Sequence, residues 1–120
     1  MGIQTLPEGF ILVTLPQKPH LDHELQKINE IAYHGRECDV IIDFSAVQML
    51  TSSSICNLLL LRDFLSAFGR RVFLCSLSLS IKCVFIRLGL ETLFEFADHK
   101  SAVLQARALQ TRPAGGLPRR

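Results

Sequence analysis

The 120-residue sequence predicts one α/β domain with a mixed, largely parallel sheet of four or five strands and about four helices. Three observations predict it. Short apolar or β-branched runs alternate along the chain with segments of helical period. Residues 38–68 read, without a break, as a buried strand, a polar turn and a long helix. A hydrophobic content of 48% and a mean hydropathy of +0.28 are high for a soluble chain. They call for strands covered on both faces, or for an apolar patch left to a partner.

Residues 3–15 read as a hairpin turning at Leu6-Pro7-Glu8-Gly9, with Phe10 to Leu15 the better strand and Pro16 ending it. Pro19 stands where a helix can begin. Leu21, Leu25, Ile28 and Ile31 or Ala32 give that helix one apolar stripe, and Gly35 closes it. Val40 to Phe44 is apolar except for Asp43, the composition of a strand buried on both faces. Thr51-Ser52-Ser53-Ser54 then supplies the hydroxyl oxygens that cap a helix N-terminus. Ile55, Leu58, Leu61, Leu65 and Phe68 follow at helical spacing, and Gly69 ends the helix. Val72 to Leu77 is the next strand. A short helix over about 80–88 carries Ile81, Val84, Phe85 and Leu88, with Gly89 as its cap; 93–96 is a brief strand. Residues 100–110 form a last helix, and the Pro/Gly-rich residues 111–120 are expected to be a disordered tail outside the 1–110 domain.

Charge and motifs exclude several classes. Residues 1–110 hold ten Lys/Arg against eleven Asp/Glu, so the body lacks the basic face that nucleic-acid binding needs. No signal peptide and no run long enough to span a bilayer is visible. Cys38, Cys56, Cys75 and Cys83 make no CxxC pair and have no His at ligand spacing. They read as buried, reduced thiols rather than a metal site or a disulfide framework. His20, His23, His34 and His99 read as solvated. There is no Gly-rich phosphate loop and no nucleophile–base pair, so no catalytic residue and no cofactor is expected.

The central stretch also carries a family resemblance. A strand ending Asp43-Phe44-Ser45, an apolar link Val47-Gln48-Met49-Leu50, and a turn Thr51-Ser52-Ser53-Ser54-Ile55 before an apolar helix resemble the signature of the STAS domain. Arg70-Arg71-Val72-Phe73-Leu74-Cys75 resembles the family's next strand, and Leu88-Gly89-Leu90-Glu91-Thr92-Leu93-Phe94 its Gly-Leu-x-x-Leu-Phe segment. The likeness spans roughly residues 9–110. It departs in two places: the family's Asp at the turn is Thr51 here, and its Gly is Ser54.

The resemblance implies a cytoplasmic, bacterial anti-sigma factor antagonist, a non-enzymatic signalling module in transcription regulation. Its implied partner is an anti-sigma factor or serine kinase of the histidine-kinase-like ATPase type. The alternative is a subunit of the same fold beside a transporter ATPase, with no phospho-switch. Ser53 aligns with the family's phosphorylated serine, with Ser52 and Thr51 as fallback sites; the plainer reading is that these hydroxyls only cap the helix. Asn57, Leu60 and Phe64 fall on Ser53's face at i+4, i+7 and i+11, and with Thr51, Ser52, Ser53 and Ser54 make the candidate partner surface. A broad apolar helix burying Leu60 and Phe64 is the competing reading. Asp43 has no second carboxylate or His near it in sequence, which favours a role in bonding the following turn.

Overall fold

The sheet begins with a hairpin. Strand β1 (Gly2–Leu6) pairs antiparallel with β2 (Phe10–Thr14), and Gly9 N–H donates back to the Leu6 carbonyl at 3.2 Å across the turn. The computed structural model describes residues 2–6, 9–16, 20–33, 38–99 and 102. Pro7 and Glu8 of the predicted turn, Pro19, His34 and Gly35 lie outside them. So do the predicted last helix, apart from Ala102, and residues 111–120.

From β2 the chain alternates. Helix α1 (Leu21–Tyr33) leads to β3 (Asp39–Asp43), α2 (Ser52–Ala67) to β4 (Val72–Cys75), and α3 (Leu79–Arg87) to β5 (Glu95–Ala97). Strands β2 to β5 are all parallel, in the order β1-β2-β3-β4-β5. Because each crossover steps to the next strand in the same direction, right-handed connection places α1, α2 and α3 on one face. The core agrees. Ile11, Val13, Val40, Ile42, Val72 and Leu74 point from the strands into one buried cluster with Leu25 and Ile28 of α1, Leu58 and Leu61 of α2, and Ile81 and Phe85 of α3. The alternate residues Phe10, Leu12, Ile41 and Cys75 form a second buried cluster on the other face. The sheet is thus covered on both sides, as its uninterrupted apolar runs predict.

Helix boundaries follow local chemistry. Thr51 and Ser78 cap α2 and α3 through side-chain oxygens that accept from Ser54 N–H and Ile81 N–H. Both helices end in the same way. Gly69 and Gly89 take φ of +72° and +71°. The following residues, Arg70 and Leu90, donate back to the carbonyls of Leu65 and Phe85 at 2.8 and 2.9 Å. The glycines are needed because a side chain at that φ is strained.

Some edges move from their predicted places. Strand β4 stops at Cys75 rather than Leu77, and β5 starts at Glu95 rather than 93. Phe68 and Leu88, predicted on the buried stripes, are instead exposed cap residues. Each sits where the helix unwinds, so the 3.6-residue period no longer places it.

The cysteines require a correction. Only Cys75 is buried; Cys38 is half-buried, and Cys56 and Cys83 are exposed free thiols. The reason is angular. Cys56 is two residues from Leu58, and Cys83 two from both Ile81 and Phe85, which turns each about 200° away from a core position. Thiol-reagent kinetics should therefore be biphasic on native protein. Cys56 and Cys83 should react fast, and Cys75 only on unfolding. One slow phase covering all four would contradict the exposure of these two helix positions.

Candidate functional site

The site is the N-terminus of α2 and the link that delivers it. Asp43 ends β3, and its carboxylate accepts Ser45 N–H at 2.9 Å, the turn-forming role read from sequence. Phe44 N–H donates to the Cys75 carbonyl and Val47 N–H to that of Phe44, both at 2.9 Å. Phe44 and Val47 are buried, so the link is nailed to the core at two points. Gln48 and Met49 then face solvent, and Thr51 is the N-cap in extended conformation (φ −99°, ψ 170°).

A chain of hydroxyls builds the turn. Thr51 Oγ1 accepts Ser54 N–H at 3.2 Å, and the Thr51 and Ser54 hydroxyls are 3.0 Å apart. Ser54 Oγ donates its single hydrogen to Asp22 Oδ1 at 2.7 Å. Thr51 O–H must then be the donor to Ser54 Oγ. The two departures from the family pattern are therefore partners: Thr51 bonds Ser54, and Ser54 reaches across 32 residues to α1. The first turn of α2 holds no acidic residue of its own. The Asp22 carboxylate supplies that charge from α1, where a helix N-terminus favours it.

The four hydroxyl residues separate sharply. Ser54 is fully buried and Thr51 half-buried, whereas Ser52 and Ser53 are exposed. Ser53 is the second helical residue, and the first amides of a helix have no acceptor within it. The other candidates divide as well. Leu60 is exposed on the outer side of α2. Asn57 lies in the seam with α1, where Asn29 Nδ2–H donates to its carbonyl at 3.1 Å. Phe64 is half-buried beside it, edge-on to Tyr33 with centroids 5.5 Å apart. Exposed Tyr33, packed on Phe64, adds apolar surface beside this face that sequence reasoning did not single out, and Met49 is exposed in the link before the helix.

No family model matches the sequence, and a search of curated proteins found no match. Solved structures do match. An anti-sigma-factor antagonist (STAS) domain protein from Planctomyces limnophilus superposes with a TM-score of 0.76 at 17% identity, covering 90% of this chain and 99% of that one. The chain has the STAS fold. The anti-sigma factor antagonist SpoIIAA in its unphosphorylated form gives a TM-score of 0.69 at 18% identity over 92% of this chain and 97% of its own. The phosphorylated form of SpoIIAA, a Bacillus cell fate determinant, gives 0.67 at 19% identity over 87% and 96%.

Among the described residues no group of three His, Cys, Asp or Glu could hold a metal ion, and no helix is long and apolar enough to cross a membrane. His20, His23 and His99 are exposed, in line with the solvated reading.

Proposed function

We propose that this chain is an anti-sigma factor antagonist-like binding module whose partner docks over the N-terminus of α2 and is released by phosphorylation of Ser53. The observation that carries the reading is the placement of an exposed Ser53 on the first turn of a capped helix, within a STAS fold. A phosphate there adds about −1.5 to −2 charges. It would meet unpaired backbone amides and the positive end of the helix, so the domain can carry it without unfolding. SpoIIAA, of the same fold, has been determined in a phosphorylated form. The partner would be a cytoplasmic anti-sigma factor or serine kinase that uses ATP, with this chain as its substrate. Ser52, Ser53, Leu60 and the edge of Phe64 would form the contact, while Thr51, Ser54 and Asn57 hold its frame.

The test is phosphate transfer from ATP by a serine kinase of the histidine-kinase-like ATPase type, with the modified residue mapped by mass spectrometry. Wild type should take up one phosphate at Ser53 and Ser53→Ala none. Stable binding with no phosphate transfer would instead favour a docking subunit, such as one beside a transporter ATPase. Modification confined to Ser52 would move the switch by one residue.

A further inference from the structure

The outer side of α3 is apolar where an amphipathic helix would be polar. Leu79, Lys82, Cys83 and Ile86 stand at i, i+3, i+4 and i+7, within an arc of about 100° on the side away from the buried Ile81 and Phe85. Leu79 is 77% exposed and Ile86 58%. Beside this stripe a groove of about 220 Å³ runs between α3 and β5, lined by Lys82, Phe85, Ile86, Glu91 and Phe96. Phe96 is itself 36% exposed. Leu79, Ile86 and Phe96 together leave roughly 300 Å² of apolar side chain in water, the scale at which a patch on a monomer marks an interaction site.

The pattern on this face is complementary to itself. Leu79 and Ile86 are centred on the same point of the helix as Lys82 and Cys83. A twofold axis through that point sets two α3 helices antiparallel, with Leu79 of each copy on Ile86 of the other. The small Cys83 lies beside the axis, where close approach of the helices needs a small side chain. Charge fits as well. The twofold carries both Lys82 side chains to the groove side, where each can reach Glu91 of the other copy, which offsets the approach of the two lysines. Glu91 takes part in no ion pair among the described residues. Antiparallel pairing also sets the positive end of each α3, which holds no acid in its first turn, beside the negative end of the other. Each nine-residue helix is only about 13 Å long. An interface of that size belongs to the weak, reversible class, with a midpoint in the micromolar range.

We propose that α3 and the groove beside it are a homodimer interface, occupied by a second copy of this chain across a twofold axis near Cys83. The interface shares no residue with the α2 surface around Ser53.

The test is sedimentation velocity of the full chain under reducing conditions, from about 10 µM to about 1 mM. The average mass should rise from 13.5 kDa toward twice that value. Leu79→Glu sets a carboxylate against Ile86 and Glu91 of the other copy and should weaken the dimer at least about tenfold. Its melting temperature in dilute solution should stay that of wild type, because Leu79 is exposed and an acid suits a helix N-terminus. Ile86→Lys, at a second exposed position, should weaken the dimer too and guards against a folding artefact. A short bismaleimide should join two copies through Cys83, so Cys83→Ser loses the covalent dimer and Cys56→Ser, the other exposed thiol, keeps it. A chain that stays monomeric over the whole range, a dimer that survives both Leu79→Glu and Ile86→Lys, or cross-linking that depends on Cys56 instead would overturn the proposal.

Discussion

Ser54→Asp should lower the melting temperature by more than about 10 °C, whereas the same change one residue earlier should leave it nearly untouched. Ser54 is fully buried, and its Oγ lies 2.7 Å from the Asp22 carboxylate. A second carboxylate there replaces a donor with an acceptor. Thr51 O–H is the one hydroxyl placed to bond it. The new charge would sit at a fully buried position against the part-buried Asp22 carboxylate, a disruption worth about 3 kcal/mol or more. The helix N-terminus offers only about 0.3–1 kcal/mol in return, so repulsion and burial decide the sign. For a chain of this size each 1 kcal/mol is worth roughly 4 °C. The sign with pH also follows. The introduced carboxyl has its folded pKa raised above its unfolded value by Asp22 and burial, so the folded form favours the protonated group. The deficit against wild type should therefore shrink as pH falls through the carboxylate range and be full at neutral pH. Ser54→Gly removes the acceptor of Thr51 O–H and the donor to Asp22 but keeps the backbone cap and adds no charge, and should cost less. Thermal melts of wild type and the three variants at pH 4 and 7 check this. A Ser54→Asp protein melting within about 2 °C of wild type at pH 7 would mean that the turn is open, and that the Thr51–Ser54–Asp22 chain does not hold it.

The contrast marks where sequence reading reaches and where it stops. Runs such as Val40 to Phe44 can be buried only as strands covered twice, and caps at Thr51, Gly69 and Gly89 announce helix ends by local chemistry alone. Those features are legible because they depend on neighbours within a few residues. The seam between α1 and α2 is not local. Asp22 reads as an ordinary acid in the first turn of α1, and nothing in its surroundings in sequence says that it meets Ser54. Asn57 shares a helical face with Ser53, yet that face curves into α1 at Asn29. A helical wheel gives angles within one helix but not where the next helix lies. The exposed thiols were legible in principle: counting two residues from Leu58 or Phe85 turns Cys56 and Cys83 outward. Treating cysteine as a buried residue type hid a geometric fact already present in the spacing.

Ser53→Asp should weaken partner binding by roughly 30- to several-thousand-fold while shifting the melting temperature by no more than about 2 °C. Stability is spared because Ser53 is exposed and is not the cap; Thr51 is. A carboxylate at the second helical position is if anything favoured there, by a few tenths of a kcal/mol. Binding is not spared. A partner seated on Ser52, Ser53 and Leu60 must strip water from the new charge, and a buried interfacial mismatch commonly costs 2–5 kcal/mol. Ser53→Ala keeps the surface neutral and should bind as wild type does while refusing phosphate. Leu60→Ala removes an exposed side chain and should weaken binding without lowering stability appreciably. Phe64→Ala should do both, because Phe64 also packs on Tyr33. Calorimetric affinities set beside melting curves for these four variants separate the outcomes. Equal affinity for Ser53→Asp and wild type would reduce the serine to a helix-end residue with no part in docking. A large fall in melting temperature for Ser53→Asp would mean that its side chain is enclosed, which no phosphorylation site can be. Ser53 and Ser54 thus become each other's control: the same substitution at adjacent positions should act on binding at one and on folding at the other.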